Sequence, residues 1–260
     1  MNPLLPIALL AVLTAAGCAS DPQMRDGVLI DDPYEAANRR VHAFNKGVDA
    51  HVVGPVANRL KGDGADAGPA PQPGDPIGPV RMMANAGRNL SLPGKALNGL
   101  LQGRPGNAGM NALRFATNTT VGLGGLFDPA ADSFGWTERD TDFGETLAVW
   151  GAPEGAYLEL PLIGPSTLRD TAGRVVDIAI DPLGQVLDAP ERRAAFALRV
   201  GAKATDRARF GDTIDGILQG SADSYAQTRL IWLMNRRHEL GEESADIDPY
   251  GDDAVIDPYE

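Results

Sequence analysis

Apolar residues recur along most of this chain at the three- and four-residue spacing of helices, and glycine and proline cut the runs apart. Asp32 is placed to cap a first helix, with Pro33 in its opening turn and Glu35 three residues on, favoured by the positive end of the helix dipole. On that helix Ala37, Val41, Phe44 and Val48 form one apolar face, and Arg39, Arg40 and Lys46 lie opposite. Phe44 is then either a core residue or part of a working surface. Residues 61–79 are so rich in Gly and Pro that they read as loop. A second helix is expected from Val80, with Met83, Ala84, Gly87 and Leu90 in register. After a break at Pro93-Gly94, a short helix from Lys95 to Gln102 and another from Pro105 to about Val121 follow, the latter rich in small and amide residues that let neighbours approach and hydrogen-bond. Gly122, Gly124 and Gly125 end it. Residues 126–165 hold only short pieces of structure, and two further helices run from Glu191 to about Phe210 and from Ala222 to about Leu240, the last with Tyr225, Thr228 and Trp232 along one line. The pattern predicts an all-α protein.

The N-terminus reads differently. Met1 to Gly17 holds no Asp, Glu, Lys or Arg, and its apolar run from Leu4 to Leu13 is too short for a membrane span, which needs roughly 20 residues, but fits a signal-peptide core of roughly 7 to 15. Ala15-Ala16-Gly17 follow, and then Cys18, the sole cysteine. The pattern resembles the lipobox of bacterial lipoproteins, which is cut before a cysteine whose thiol carries lipid. An acylated Cys18 leaves no thiol for a disulfide or a cysteine-based metal site. Ala19 and Ser20 come before the first acidic residue, Asp21, and by resemblance to the usual sorting rule the lack of Asp beside the cysteine favours the outer membrane. Each buried methylene contributes about 0.8 kcal/mol, so several acyl chains hold a protein firmly. The expected organisation is a signal peptide at 1–17, a lipidated tether at 18–31, a helical domain at 32–240 and a disordered acidic tail at 241–260.

Composition narrows the function. With 260 residues the chain makes one domain or at most two, and 43% apolar content is enough for a core. A net charge of -12, none of it removed with residues 1–17, argues against nucleic acid and against an electrostatic grip on anionic lipid. Work at a membrane must therefore rest on apolar contact. Enzyme chemistry finds little support: His42, His51 and His238 have no metal-ligand spacing, Ser166 lacks the second glycine of a nucleophile elbow, and no carboxylate pair stands out as acid and base. Gly103 to Gly109 looks like a phosphate loop but follows a helix and lacks the Lys-Ser/Thr pair, so it reads as a turn and a helix start. No catalytic residue, metal or cofactor is expected.

Longer motifs are more specific. Asp32-Pro33-Tyr34-Glu35-Ala36-Ala37-Asn38-Arg39, continuing through Phe44-Asn45 to Val52-Val53-Gly54-Pro55-Val56-Ala57, resembles the opening of the MlaA/VacJ family of outer-membrane lipoproteins. Asn98 to Gly103, Arg114 to Ala130, Asp142 to Leu147 and Leu160 to Asp170 agree in the same order. The resemblance implies an all-α ring of amphipathic helices in the inner leaflet of the outer membrane, with a central channel. Phospholipid misplaced in the outer leaflet would pass through it to a soluble periplasmic lipid carrier, and a trimeric porin would be a partner. It also implies that Phe44 and Asn45 gate or support the channel. Gly122, Leu123, Gly124, Gly125, Leu126 and Phe127 would form a mobile hairpin at its wall. Two other classes stay open: a lipoprotein that only scaffolds partners, and a phospholipase acting on the same lipids. Replacing Cys18 with Ser is expected to abolish acylation and leave the protein unprocessed or mis-sorted; radioactive palmitate that still labels the variant contradicts the assignment.

Overall fold

The computed structural model describes residues 23–25, 28–62 and 78–242. The expected signal peptide, Cys18 and all but the first two residues of the acidic tail lie outside them. The described chain is mostly helical, with two small antiparallel hairpins. The first pairs β1 (Gln23–Arg25) with β2 (Val28–Ile30), so the stretch read as a tether carries a hairpin, and Ile30 is buried with Tyr157, Tyr225 and Leu233. There follow α1 (Glu35–Val48), a π-helical turn (Asp49–Val53) and α2 (Gly54–Gly62). Next come α3 (Pro79–Asn89), α4 (Leu92–Leu101) and α5 (Pro105–Thr120), then the short α6 (Pro129–Asp132) and α7 (Phe143–Val149). The second hairpin sets β3 (Tyr157–Leu160) against β4 (Gly164–Thr167), Tyr157 opposite Thr167. The chain closes with α8 (Leu168–Ile180), α9 (Pro182–Val186), α10 (Ala189–Arg209), α11 (Gly211–Gly220) and α12 (Ser224–Leu240).

Local chemistry sets most of these boundaries. Asp142, Thr167 and Asp223 each accept a hydrogen bond from a backbone N–H in the first turn of α7, α8 and α12, and Asp188 with Glu191 makes a capping box on α10. Proline stands in the opening turn of α3, α4, α5, α6 and α9, where its missing N–H has no partner to lose. That explains why the expected break at Pro93-Gly94 falls instead at Leu90-Ser91. Asp32 does not cap α1; Tyr34 precedes the helix, and the Asp32 carboxylate turns inward to Asn38, Tyr225 and Arg229. α8 and α11 were not read from sequence, although their apolar residues recur at helical spacing. Small residues bring the helices together: a Cβ on Gly87 would lie 2.2 Å from the Leu198 carbonyl oxygen, and one on Gly173 would lie 2.3 Å from the Gly144 nitrogen. These contacts seat α10 on α3 and α8 on α7.

The distribution of polarity is inverted. Among the described residues fourteen hydrophobic side chains are buried, eight of them alanine, against sixteen polar or charged ones. Large apolar residues stand outside instead: Ile178 is 79% exposed, Leu162 72%, Phe196 69% and Phe44 53%. On the apolar face of α1, Ala37 and Phe44 are exposed and Val41 and Val48 half-buried, while Asn38 and His42 form the buried side of the helix. Phe44 is not a core residue. An apolar stripe normally marks the inward face because water lies outside; here Ala37 and Phe44 of the stripe stand outside.

Buried polar groups hold only if they are paired. Asn111 donates to the Arg139 carbonyl at 2.8 Å and accepts from the Arg139 N–H at 3.0 Å, while Asn118 does the same between Asp128 and the Ala130 N–H. These amides of α5 thus bond the loop and the short α6 that follow the helix, while Thr119 accepts from Asn89 of the neighbouring α3 at 3.0 Å. Arg229 and Asp32 pair with side chains only 2% and 4% exposed. Removing one partner of such a pair leaves a buried charge alone, so Asp32→Ala is expected to cost about 3–5 kcal/mol of stability in detergent. Phe44→Ser, at an exposed position, should change it by about 0.5 kcal/mol or less. Chemical denaturation of the two variants checks the inverted pattern, and the reverse ranking contradicts it.

Candidate functional site

A cleft of 570 Å³ opens between α1, the β3–β4 hairpin, α10 and α11. Asn45 positions one wall. Its amide donates to the Leu160 carbonyl at 2.9 Å and its oxygen accepts from the Leu162 N–H at 2.7 Å, so the side chain holds α1 to the turn of the hairpin. Behind it, Glu159 is buried and accepts hydrogen bonds from the Tyr157 hydroxyl at 2.6 Å and from Asn45 at 3.3 Å, with His42 at 3.4 Å. Burial beside the Glu159 carboxylate pushes the Tyr157 hydroxyl far above its usual range, so it acts as a fixed donor. His42 is a satisfied interior residue, held between Glu159 and Ser224. Val48, Val53, Leu162, Ile214, Ile217 and Leu218 give the cleft an apolar lining.

Cations stand at its edge. Arg207 is neutralised by Asp49 and Asp215, each at 2.7 Å, and those bonds hold its guanidinium above the usual range. Lys46 and Lys203 also line the cleft, and neither makes an ion pair or hydrogen bond among the described residues. Lys203 lines a second cavity as well, a chamber of 250 Å³ where Arg88, Lys95 and Arg199 face Glu138, Asp140 and Asp206. In that chamber Arg88 pairs with Asp206 at 2.6 Å, and Lys95 pairs with Glu138 and with Asp140 at 2.7 Å. The Asp140 side chain is largely exposed, and its slight loss of water is outweighed by Lys95 and, at longer range, Lys203, which hold the carboxyl below its usual range. Asp140 in turn borders a polar cavity of 360 Å³ around Asp142, Asp170 and Arg236. An apolar cleft, a charged chamber and a polar mouth therefore adjoin one another through Lys203 and Asp140.

The site residues expected from sequence do not gather in one place. Asn45 lines the cleft, whereas its neighbour Phe44 projects from the outer face of α1. Gly122, Leu123, Gly124, Gly125, Leu126 and Phe127 line none of the three cavities described. Leu123, Gly124 and Gly125 take φ of 51°, 76° and 91°, which folds the chain back so that the Phe127 N–H reaches the Gly122 carbonyl at 3.0 Å. Gly125 lies against Asn89, and Asn85 donates to the Leu126 carbonyl at 3.3 Å. Lys203 escaped sequence reasoning because a single lysine on an amphipathic helix has no distinguishing spacing. Ser166, the nucleophile considered for a phospholipase, is fully buried and bonded to Thr171 at 3.0 Å and to the Thr167 carbonyl, out of reach of an ester.

A model of the MlaA lipoprotein family matches residues 30–239. The chain belongs to the MlaA lipoprotein family. It is 32% identical to the intermembrane phospholipid transport system lipoprotein MlaA of Shigella flexneri, over 90% of this chain and 86% of that one. The MlaA protein of the same transport system in Haemophilus influenzae is 30% identical over 90% of this chain and 89% of its own. An uncharacterized Rickettsia typhi protein is 33% identical, covering 76% and 73% of the two chains. A solved structure described as "Structural basis for maintenance of bacterial outer membrane lipid asymmetry" superimposes with a TM-score of 0.63 at 28% identity, over 81% of this chain and 99% of that one. The MlaA-family region thus includes the cleft, the chamber and the polar mouth.

The glycine-rich loop generates a prediction of its own. At Gly124 a Cβ meets open space, so Gly124→Ala should lose only about 1–2 kcal/mol for the positive φ. At Gly125 a Cβ would also lie 2.6 Å from Asn89, adding about 1–3 kcal/mol of overpacking. Denaturation in detergent checks the difference; equal losses at the two positions contradict the packing of this loop on α3.

Proposed function

We propose that this protein is an outer-membrane lipoprotein that carries phospholipid out of the outer leaflet and so maintains the lipid asymmetry of that membrane. The observation that carries the reading is the inverted surface: large apolar side chains outside and paired polar groups inside. Among the described residues no helix is long and apolar enough to cross a membrane. An apolar exterior without a spanning helix suits a body that lies in one leaflet, displacing lipid tails. Cys18 supplies the lipid anchor in this reading.

The adjoining cavities supply a route. A head group moving through hydrocarbon has to give up its water, at a cost of several kcal/mol for each unpaired polar group. Lys46 and Lys203, with no ion pair among the described residues, meet the phosphate at the apolar cleft. The chamber and the Asp142–Arg236 mouth replace hydration beyond it, while the chains stay against apolar side chains. The lipid then passes to a soluble periplasmic carrier, and a trimeric porin holds the protein in place. In this scheme Asn45 supports the route by fixing α1 to the hairpin, and Phe44, Leu123 and Phe127 anchor the body in lipid beside it. No bond in the lipid is broken.

The test is complementation of a strain deleted for the gene. Wild-type protein is expected to restore a low level of phospholipid in the outer leaflet, whereas Lys203→Glu, which sets a carboxylate against the passing phosphate, is expected to leave that level near that of the deletion with normal protein abundance. Full restoration by Lys203→Glu contradicts the route, and an unchanged outer leaflet in the deletion strain contradicts the function.

A further inference from the structure

The tryptophans of this chain differ in what their indole N–H groups meet. Trp150 is 56% exposed, yet its N–H is taken by the Leu101 carbonyl at 3.1 Å, so the ring presents only apolar surface outward. Val149 and Leu101 are exposed with it. Trp136 is the reverse case: its ring stacks on Phe134 at 4.9 Å, while its indole N–H has no partner among the described residues and is not enclosed by the protein. Phe134 is itself 57% exposed. An apolar ring pair with one open donor suits neither bulk water nor hydrocarbon.

The fold holds these rings on a fixed loop, residues 133–142 between α6 and α7. Arg114 of α5 donates to the Trp136 carbonyl, the Trp136 N–H reaches the Ala130 carbonyl at 2.9 Å, and Asn111 takes up both backbone groups of Arg139. Glu138 turns inward to Lys95, but Arg139 is exposed and its guanidinium makes no ion pair or hydrogen bond among the described residues. Three residues of backbone reach at most about 11 Å, so this cation stays close to Trp136. Directly after it, Asp140, Thr141 and Asp142 line the polar mouth. Within a few residues the chain passes from an aromatic pair, through a free cation, to the carboxylates of the mouth. A lipid leaflet has the same order from its hydrocarbon outward: acyl chains, phosphate, water.

We propose that the loop from Phe134 to Arg139 is an interfacial anchor, with the Phe134–Trp136 pair at the boundary of acyl chains and head groups and Arg139 on a lipid phosphate. The partner is the head-group layer of the phospholipid leaflet. The proposal rests on the reading of a body that lies in one leaflet, and it adds the depth at which that body lies. Tryptophan favours this level because its ring leaves water while its N–H stays wet, and the planar donors of arginine match phosphate oxygens. A net charge of -12 supplies no general attraction, so the grip is local and does not require anionic lipid. The mouth around Asp142 and Arg236 then opens among the head groups, and Trp150, at the other end of α7, lies deeper.

Quenching of tryptophan fluorescence by brominated phosphatidylcholine in vesicles measures these depths. Two full-length proteins are compared, one keeping Trp136 and the other Trp150, with the remaining tryptophans changed to Phe. Bromines near the head group are expected to quench Trp136 more than bromines near the chain ends, and the order is expected to reverse for Trp150. Arg139→Glu sets a carboxylate against the phosphate and is expected to abolish the shallow preference of Trp136. The deep preference of Trp150 should survive the same substitution, which also shows that the variant folds and embeds. Trp136 quenched by neither lipid, or more by the deep one, overturns the proposal, and so does a shallow preference that survives Arg139→Glu. Deep quenching of Trp150 in those vesicles leaves the leaflet reading standing; if neither tryptophan is quenched, that reading falls as well.

Discussion

Asn38 accepts a hydrogen bond from the Glu159 N–H and gives two in return, to Asp32 and to the Tyr157 carbonyl. That one buried amide ties α1 to β3 and, through Asp32, to Arg229 and Tyr225 of α12. The same device recurs wherever the chain must be closed without oil. Asn98 bridges Asp177 and Thr146 between α4, α8 and α7, and Arg236 of α12 is shared by Asp142 and Asp170. Such bonds contribute little net stability when exposed to water, about 0.5–1.5 kcal/mol each, but leaving one buried partner unsatisfied costs more. A fold held this way is specific rather than greasy inside. It frees the apolar residues to face outward.

That inversion explains what the sequence disclosed and what it concealed. The long helices α1, α3, α5, α10 and α12 were legible because periodicity does not depend on which face is buried. Their orientation was not, since the apolar face of Ala37, Val41, Phe44 and Val48 left Phe44 open between core and surface until the structure placed it outside. The start of α10 was read at Glu191, two residues late, because the cap Asp188 went unread, and Asp32 looked like a cap because its inward partners, Tyr225 and Arg229, lie about two hundred residues away. The β3–β4 hairpin was hidden by Pro161 and Gly164, which signal a turn but not the pairing around it. Of the site residues, Asn45 was singled out by a family motif, whereas Lys203 has meaning only through the two cavities it borders.

The proposed route through the protein follows from the same arrangement. Interior ion pairs that hold helices together also line the chamber, so in the proposed scheme structure and passage use one set of charges. Lys95 illustrates this: paired with Glu138 and Asp140, it joins α4 to the loop before α7 while keeping a cation at the chamber wall. Lys203 differs in making no ion pair among the described residues, and it sits where apolar lining gives way to charge. A phosphate drawn to that boundary meets charge on one side and hydrocarbon-like surface on the other. That division matches a phospholipid.

The central claim is that hydrocarbon, not water, surrounds the exposed apolar side chains. Nitroxide labels at Phe44, Ile178 and Phe196, in the full protein reconstituted in phospholipid vesicles, report this through collisions with oxygen, which concentrates in lipid, and with a water-soluble nickel chelate. High oxygen and low nickel accessibility at all three positions is the predicted result. Nickel accessibility like that of a label in bulk water at these positions would contradict the account.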